Sequence, residues 1–412
     1  MASFFASFEW LIYVLAFVAS FRLAKSAWCF WREEGYKHRI DWVLLEIQIP
    51  RETLRGPKAM EQFLESIYNL KNDPVGPKET YLDGEIVRWY SFEIVAEKST
   101  TRFFLRIPRL LLHPFTSAFY ANYPEIEITE AEDYIHKYPA TYQELKADGY
   151  EMYAMELRQR KDPAYGLNTY VDFESEVGNE KGRIIDPMAS IIEIIGRLKQ
   201  EEVLWVQFLT IPDVYHHWWH SADKIIEKMK SGMKEGHDDS DGTPFRLRFR
   251  TKGEEKTLKR IEDKKGKATF ETIPRIVYFA PKNIYNRDLP NRGVYGYLAQ
   301  FNNDDQNIGK IDKIRSKVDW DAFPFILPNR RLFWKRVASY DEYRRRFIPE
   351  ETIVGKIYNS YPLRFCFWHQ PMLLSSTEFA SMFHIPTNVV LTSATMDRIE
   401  SKRLSPPANL PG

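Results

Sequence analysis

Three histidines crowd one short stretch, His216-His217-Trp218-Trp219-His220. On a helix, His216 and His220 would share one face, the spacing by which paired imidazoles hold zinc. Asp213 and Asp223 lie nearby. The glutamate of His-Glu-x-x-His is missing and no third ligand is evident, so the residues favour aromatic–polar packing at a helix start. His237-Asp238-Asp239-Ser240-Asp241 sits in a Gly/Ser loop and lacks the longer spacing and closing glutamate of a calcium loop. Nucleotide chemistry needs a backbone cradle for phosphates. No Gly-x-x-x-x-Gly-Lys-Ser/Thr occurs, no Gly-x-Gly-x-x-Gly follows a strand, and no Gly-x-Ser-x-Gly is present. The sequence therefore predicts a non-catalytic chain with no metal and no cofactor.

The basic residues offer binding instead. Between Asn329 and Phe347, the apolar Phe333, Val337, Tyr340, Tyr343 and Phe347 fall on one helical stripe, with Arg331, Lys335, Arg345 and Arg346 largely off it. Such a face suits DNA phosphates, anionic lipid or an acidic partner; the plainer reading is a solvated basic face. Arg246, Arg248 and Arg250 alternate with Phe245, Leu247 and Phe249, as in an edge strand with one polar side. Lys and Arg number 58 against 57 Asp and Glu, so net charge selects no partner and any nucleic-acid role must be local. Cys29 and Cys366 form no CxxC, which suggests neither a disulfide framework nor a zinc cluster.

Several elements must position these groups. From Ser3 to Phe21 only Glu9 is charged. Those residues span about 28 Å as a helix, close to one hydrocarbon core of about 30 Å. Arg22, Lys25 and Arg32 follow, with Trp28, Phe30 and Trp31 as interfacial aromatics, which predicts a single-pass anchor with a cytoplasmic C-terminal side. A signal peptide would carry a basic n-region, and a surface helix would need a polar face; this segment has neither. Residues 1–35 thus read as anchor and juxtamembrane segment. Over 36–145, strands at Trp42–Ile49, Val87–Val95, Thr101–Ile107 and Glu125–Glu130 alternate with helices opened by Pro57 and Pro114, a β-α-β-β-α-β order. RNA-recognition domains share that order, but Phe103-Phe104 lacks their Lys/Arg-Gly-Phe/Tyr run. Over 146–305, strands at Tyr150–Arg158, Val203–Ile211 and Ile273–Phe279 alternate with helices starting at Asp186-Pro187 and running through Ala222–Met229, Leu258–Lys265 and Arg292–Phe301. A basic-aromatic and closing segment (306–386) includes a strand at Tyr361–Trp368 and a helix through Thr377–Phe383. A proline-rich linker or docking tail (387–412) ends the sequence. The fold class expected is α+β: a transmembrane helix, two ferredoxin-like domains and an extended linker.

Several stretches resemble a known family. Tyr36–Ile47, Pro50-Arg51-Glu52, Gly56–Gln62, Asp186–Glu193 and Trp205-Val206-Gln207 look like the amino-terminal, non-motor regions of membrane-anchored ATPases of conjugation and type IV secretion. So does the helix Ser376-Thr377-Glu378-Phe379-Ala380 ending in His384-Ile385-Pro386, followed by Glu400-Ser401-Lys402-Arg403 and Pro406-Pro407-Ala408-Asn409-Leu410-Pro411. Phe379 stands where that family often has leucine, and Thr387–Ile399 lacks its usual glycines. The resemblance implies a component of the inner or plasma membrane that docks or scaffolds a P-loop motor ATPase, encoded separately or lost by truncation. It implies membrane lipid as a partner and a homo-oligomer formed with the motor. The alternatives are a nucleic-acid-binding adaptor using the Asn329–Phe347 face, and a metal-dependent hydrolase built on the histidines.

Overall fold

The computed structural model describes residues 2–50, 55–74, 76–98, 100–176, 186–231, 252–302, 311–314, 316–318, 325–361 and 371–387. The basic edge strand expected at Phe245–Arg250, the His237–Asp241 loop and the tail from Asn388 lie outside the described residues, as does most of Tyr361–Trp368.

An unbroken helix, α1 (Ala2–Arg39), opens the chain, and its exposed apolar stretch from Trp10 is long enough to cross a membrane. The alternation of β1 (Trp42–Gln48) sends Val43, Leu45 and Ile47 to one apolar cluster and Leu44 to another. Pro57, which has no N–H to leave unsatisfied, starts α2 (Pro57–Tyr68), burying Met60, Phe63, Leu64 and Ile67. The hairpin β2 (Tyr90–Glu97) and β3 (Thr100–Pro108) follows, then α3 (Leu112–Asn122) and β4 (Glu127–Glu130). Thr141 and Glu144 form a capping box that opens α4 (Tyr142–Ala147). Next come β5 (Tyr150–Gln159), α5 (Tyr170–Glu176), α6 (Ala189–Gly196), β6 (Val203–Pro212), α7 (Trp218–Ser231), α8 (Lys252–Lys265) and β7 (Thr269–Pro281). After α9 (Tyr295–Ala299) and β8 (Ile311–Ile314), α10 (Pro328–Arg345) and α11 (Ile353–Tyr358) lead to β9 (Met372–Ser375) and α12 (Ser376–Met382).

The mixed α+β composition and the apolar N-terminal helix agree with expectation. The two expected domains, however, share a sheet. Among the described residues the nine strands form one antiparallel sheet, ordered β4-β1-β3-β2-β6-β7-β5-β8, with β9 beside the N-terminal end of β7. The join is β2 against β6, paired from Tyr90–Thr210 to Glu97–Val203. One face is covered by α2, α3, α6, α9 and α12, whose apolar residues form a single cluster across the join. The other face is covered by α4, α10 and a 3-10 turn at Tyr134–Lys137. The expected closing helix is α12, and it is buried on every side. Its polar residues are matched: Glu378 takes the N–H of Ser375 and of Leu167 at 2.7 Å each, and Lys264 lies 3.0 Å away.

A row of polar side chains crosses the join beneath α10. Register places Glu93 of β2 opposite Gln207 of β6, Gln207 opposite Arg275 of β7, and Arg275 opposite Glu156 of β5. All four are buried. Gln207 Nε2 donates to Glu93 at 3.1 Å, and Arg275 Nε donates to Glu156 at 3.3 Å. Arg346, just past α10, grips both oxygens of Glu93 (2.7 and 3.0 Å) and both of Asp133 (2.6 and 3.1 Å). Tyr134 and Ser91 also donate to Glu93. Burial pushes the Glu93 carboxyl up, but Arg346 and Ser91 outweigh it and hold it below the ordinary value. Removing one partner of a buried pair strands the other charge. Arg346→Ala should therefore cost about 3–5 kcal/mol. Pairing Arg346→Met with Glu93→Gln should recover part of that loss, as read by thermal unfolding in detergent.

Candidate functional site

The C-terminal half of α1 is clasped by the folded domain. Trp28 Nε1 donates to the Tyr81 carbonyl at 2.7 Å, Arg39 to the Asp83 carbonyl at 3.0 Å, and Val354 N to Ser26 Oγ at 3.0 Å. Phe30 packs on Tyr358, with ring centroids 5.3 Å apart. Gly84 (φ +65°) makes the approach possible: a Cβ there would lie 2.3 Å from the Arg32 carbonyl carbon.

Beneath this clasp opens a cleft of about 360 Å³, walled by Glu33 and Lys37 of α1, the Glu85–Val87 loop, the ends of β6 and β7, and Ile348–Glu351. Glu33, Glu85, Asp213, Glu271, Glu350 and Glu351 face one lysine, Lys37, which binds Glu350 at 2.6 Å and Glu34 at 2.9 Å. Burial pushes the Glu350 carboxyl up, against the pull of Lys37. Glu271 keeps solvent contact at the mouth, yet crowding by the cleft, Asp213 and Glu351 moves its carboxyl up to about 7. Water at the mouth screens that effect. Chemically, the cleft sets six carboxylates against the single ammonium of Lys37.

The histidine motif borders this cleft but does not converge. The helix begins at Trp218, so His216 precedes it, in a left-handed turn at φ 50°. Asp213 organises that turn, accepting from His216 N at 2.9 Å, Trp218 Nε1 at 3.0 Å and Thr269 Oγ1 at 3.0 Å. His216 stacks on Trp219, and the exposed His217 stacks on Tyr215. Among the described residues no three His, Cys, Asp or Glu side chains are placed to hold a metal ion.

The basic residues expected to share one face are dispersed. Arg346 is in the interior, and Lys335 is buried with its ammonium on the Lys317 carbonyl at 2.7 Å. Arg345 is exposed and paired with Asp341 at 2.5 Å, while Arg331 is half-buried. The stripe of Val337, Tyr340, Tyr343 and Phe347 is core, and because the backbone turns left-handed at Arg346 (φ 50°) that guanidinium joins it. A second cleft, of about 510 Å³, gathers Lys256, Lys259, Arg260, Lys264 and Lys267 of α8 and its exit. The sequence shows this segment only as a helix over Leu258–Lys265, and the cleft arises from its packing against Gly166–Asp172 and Ser375–Glu378. Arg260 is spent on Asp172 at 2.7 Å, and Lys267 on Glu61 at 2.7 Å.

A buried junction lies elsewhere in the core. Asp186 accepts from Met188 N at 2.8 Å and from Thr387 N and Oγ1 at 3.0 Å each, and its Oδ1 meets His384 Nε2 at 2.9 Å. His384 Nδ1 faces the Ala380 carbonyl at 2.8 Å. Burial opposes ionisation of Asp186, but His384 and the two amides prevail and hold its carboxyl down at about 2.

A family described as a domain of unknown function (DUF8128) matches residues 32–288, more than half of the chain. The chain belongs to this family. Its DUF8128 segment begins within α1 at the clasp and extends just past β7. It contains Glu93, Gln207, Arg275 and most of the acidic cleft, whereas Arg346, Glu350 and His384 lie beyond it. Comparison with curated proteins finds no match.

Two measurements test these sites. The raised Glu271 pKa means that its stabilising, protonated form is present below its ordinary 4.5 and is lost as pH rises through about 7. In thermal melts across pH, wild type and Glu271→Gln should coincide at the acidic end, with the variant more stable above neutrality. His384→Ala strands the Asp186 carboxylate and should cost about 3 kcal/mol, whereas loss of an exposed imidazole, as in His217→Ala, should leave the melt unchanged.

Proposed function

We propose that this chain is a non-catalytic, membrane-anchored component of a conjugation or type IV secretion-like machine, and that it docks or scaffolds a P-loop motor ATPase. The observation that carries the reading is where the resembling stretches meet. Gly56-Pro57, Asp186-Pro187-Met188 and His384-Ile385-Pro386 are far apart in sequence. In the fold, Asp186 binds both His384 and Thr387, and Thr387 also lies beside Gly56. Three of the stretches that look like the secretion ATPases therefore pack together in one place.

Further support comes from the strand order. Each half, β4-β1-β3-β2 and β8-β5-β7-β6, follows the winding of a β-α-β-β-α-β unit. We read them as two ferredoxin-like units fused edge to edge, the second with α7 and α8 inserted between its middle strands. Arg22, Lys25 and Arg32 favour a cytoplasmic position for both. A DNA-binding role has weaker support, since Lys335 and Arg346 are committed to the interior. Affinity purification of the full chain from solubilised membranes, with mass spectrometry of what accompanies it, tests the proposal. A P-loop ATPase should co-purify. Release of the chain by alkaline carbonate, or recovery without any such ATPase, would defeat it.

A further inference from the structure

The clasp around α1 carries large apolar side chains that point into solvent. On one side the turn of π-helix at Glu79–Asp83 exposes Tyr81 (38 %) and Leu82 (55 %). On the other, α11 exposes Ile353 (49 %), Ile357 (55 %) and Tyr358 (75 %). Their contacts on α1, Trp28 and Phe30, are two residues apart and so face nearly opposite ways. The apolar groups thus flank the helix. Trp28 and Trp31 are themselves about half exposed between them.

Height along α1 decides what covers them. Lys25 stacks over the Tyr81 ring at 4.8 Å, and Val354 binds Ser26. Those positions stand four and five residues beyond Phe21, about 6–8 Å along the axis. A headgroup layer is about 5–7 Å deep on each side of the hydrocarbon core. Aromatic and aliphatic groups mixed with lysine at that level match an interfacial belt. We infer that Tyr81, Leu82 and Ile353 form a collar seated in the lipid headgroup layer, so that the folded domain rests on the bilayer itself, whereas Tyr358, packed on Phe30 about 13 Å beyond Phe21, stands clear of that layer. The inference rests on α1 spanning the membrane.

Hydroxyl-radical footprinting of the wild-type chain in nanodiscs of mixed phosphatidylcholine and phosphatidylglycerol, one copy per disc, tests it. Tyr120 (40 % exposed) is the reference. Tyr81 should oxidise several-fold more slowly than Tyr120 although the two are about equally exposed in the protein, while Tyr358 should oxidise freely. Equal rates at Tyr81 and Tyr120 would overturn the collar. Tyr13, on the apolar part of α1, separates the two failures. If Tyr13 is protected and Tyr81 is not, the span stands and the collar falls. If Tyr13 is oxidised freely, both fall. Protection of Tyr81 only in discs holding two copies would give the surface to a second copy of this chain instead.

Discussion

The antiparallel pairing of β2 with β6 is the constraint on which the molecule depends. Each of these strands lies at the rim of its own half, and an unpaired rim of buried-type residues invites association with other chains. Joined, they become the middle of one sheet, buried on both faces from Tyr90 to Glu97 and from Val203 to Thr210. The join then sets where charge must go. Glu93 and Gln207 face each other across it, far from water, and need partners on the same layer. Arg275 and Arg346 supply them, and Arg346 can do so only because α10 lies across the join. The helix that might have been a surface feature is held there by the sheet's need for a counter-charge.

This explains what could be read from the residues alone. Period-two and period-3.6 patterns placed β1, α2, β2, β3, β5 and β6 close to their observed limits, because each buries a regular apolar set. The stripe on α10 was legible for the same reason. Its cations were not. A charged residue in a strand or at a helix end reads as solvent-facing, since isolated charges are rarely buried. Glu93, Arg275 and Arg346 break that expectation only through contacts between residues as many as 253 positions apart. The short elements were missed for a different reason: β8, β9 and α11 have four to six residues, too few to show a period.

The candidate site shows the same division. Asp213 and the histidines beside it stood out as a cluster of chemical types, and Asp213 does hold His216, yet no three of these side chains among the described residues come together to hold a metal ion. Helix α7 starts two residues after His216, and that offset turns the ring onto Trp219. The acidic cleft gathers carboxylates from α1, the Glu85–Val87 loop, the turn after β6, β7 and the loop before α11. No local pattern marks such an assembly; it exists only once the clasp has formed.

The clasp has a further consequence for symmetry. Gly84, and the Tyr81 and Asp83 carbonyls that accept from Trp28 and Arg39, fix the domain to α1 at several points along its length. The domain cannot swivel freely about its anchor. In the membrane-anchored reading proposed above, copies threaded through one bilayer in the same sense would all present the same lateral faces. Two-fold axes lying in the membrane plane are closed to them, because such an axis would invert one copy relative to the other. A closed assembly of these chains is left with rotation about the membrane normal: a two-fold there joins like faces, and any higher order makes a head-to-tail ring.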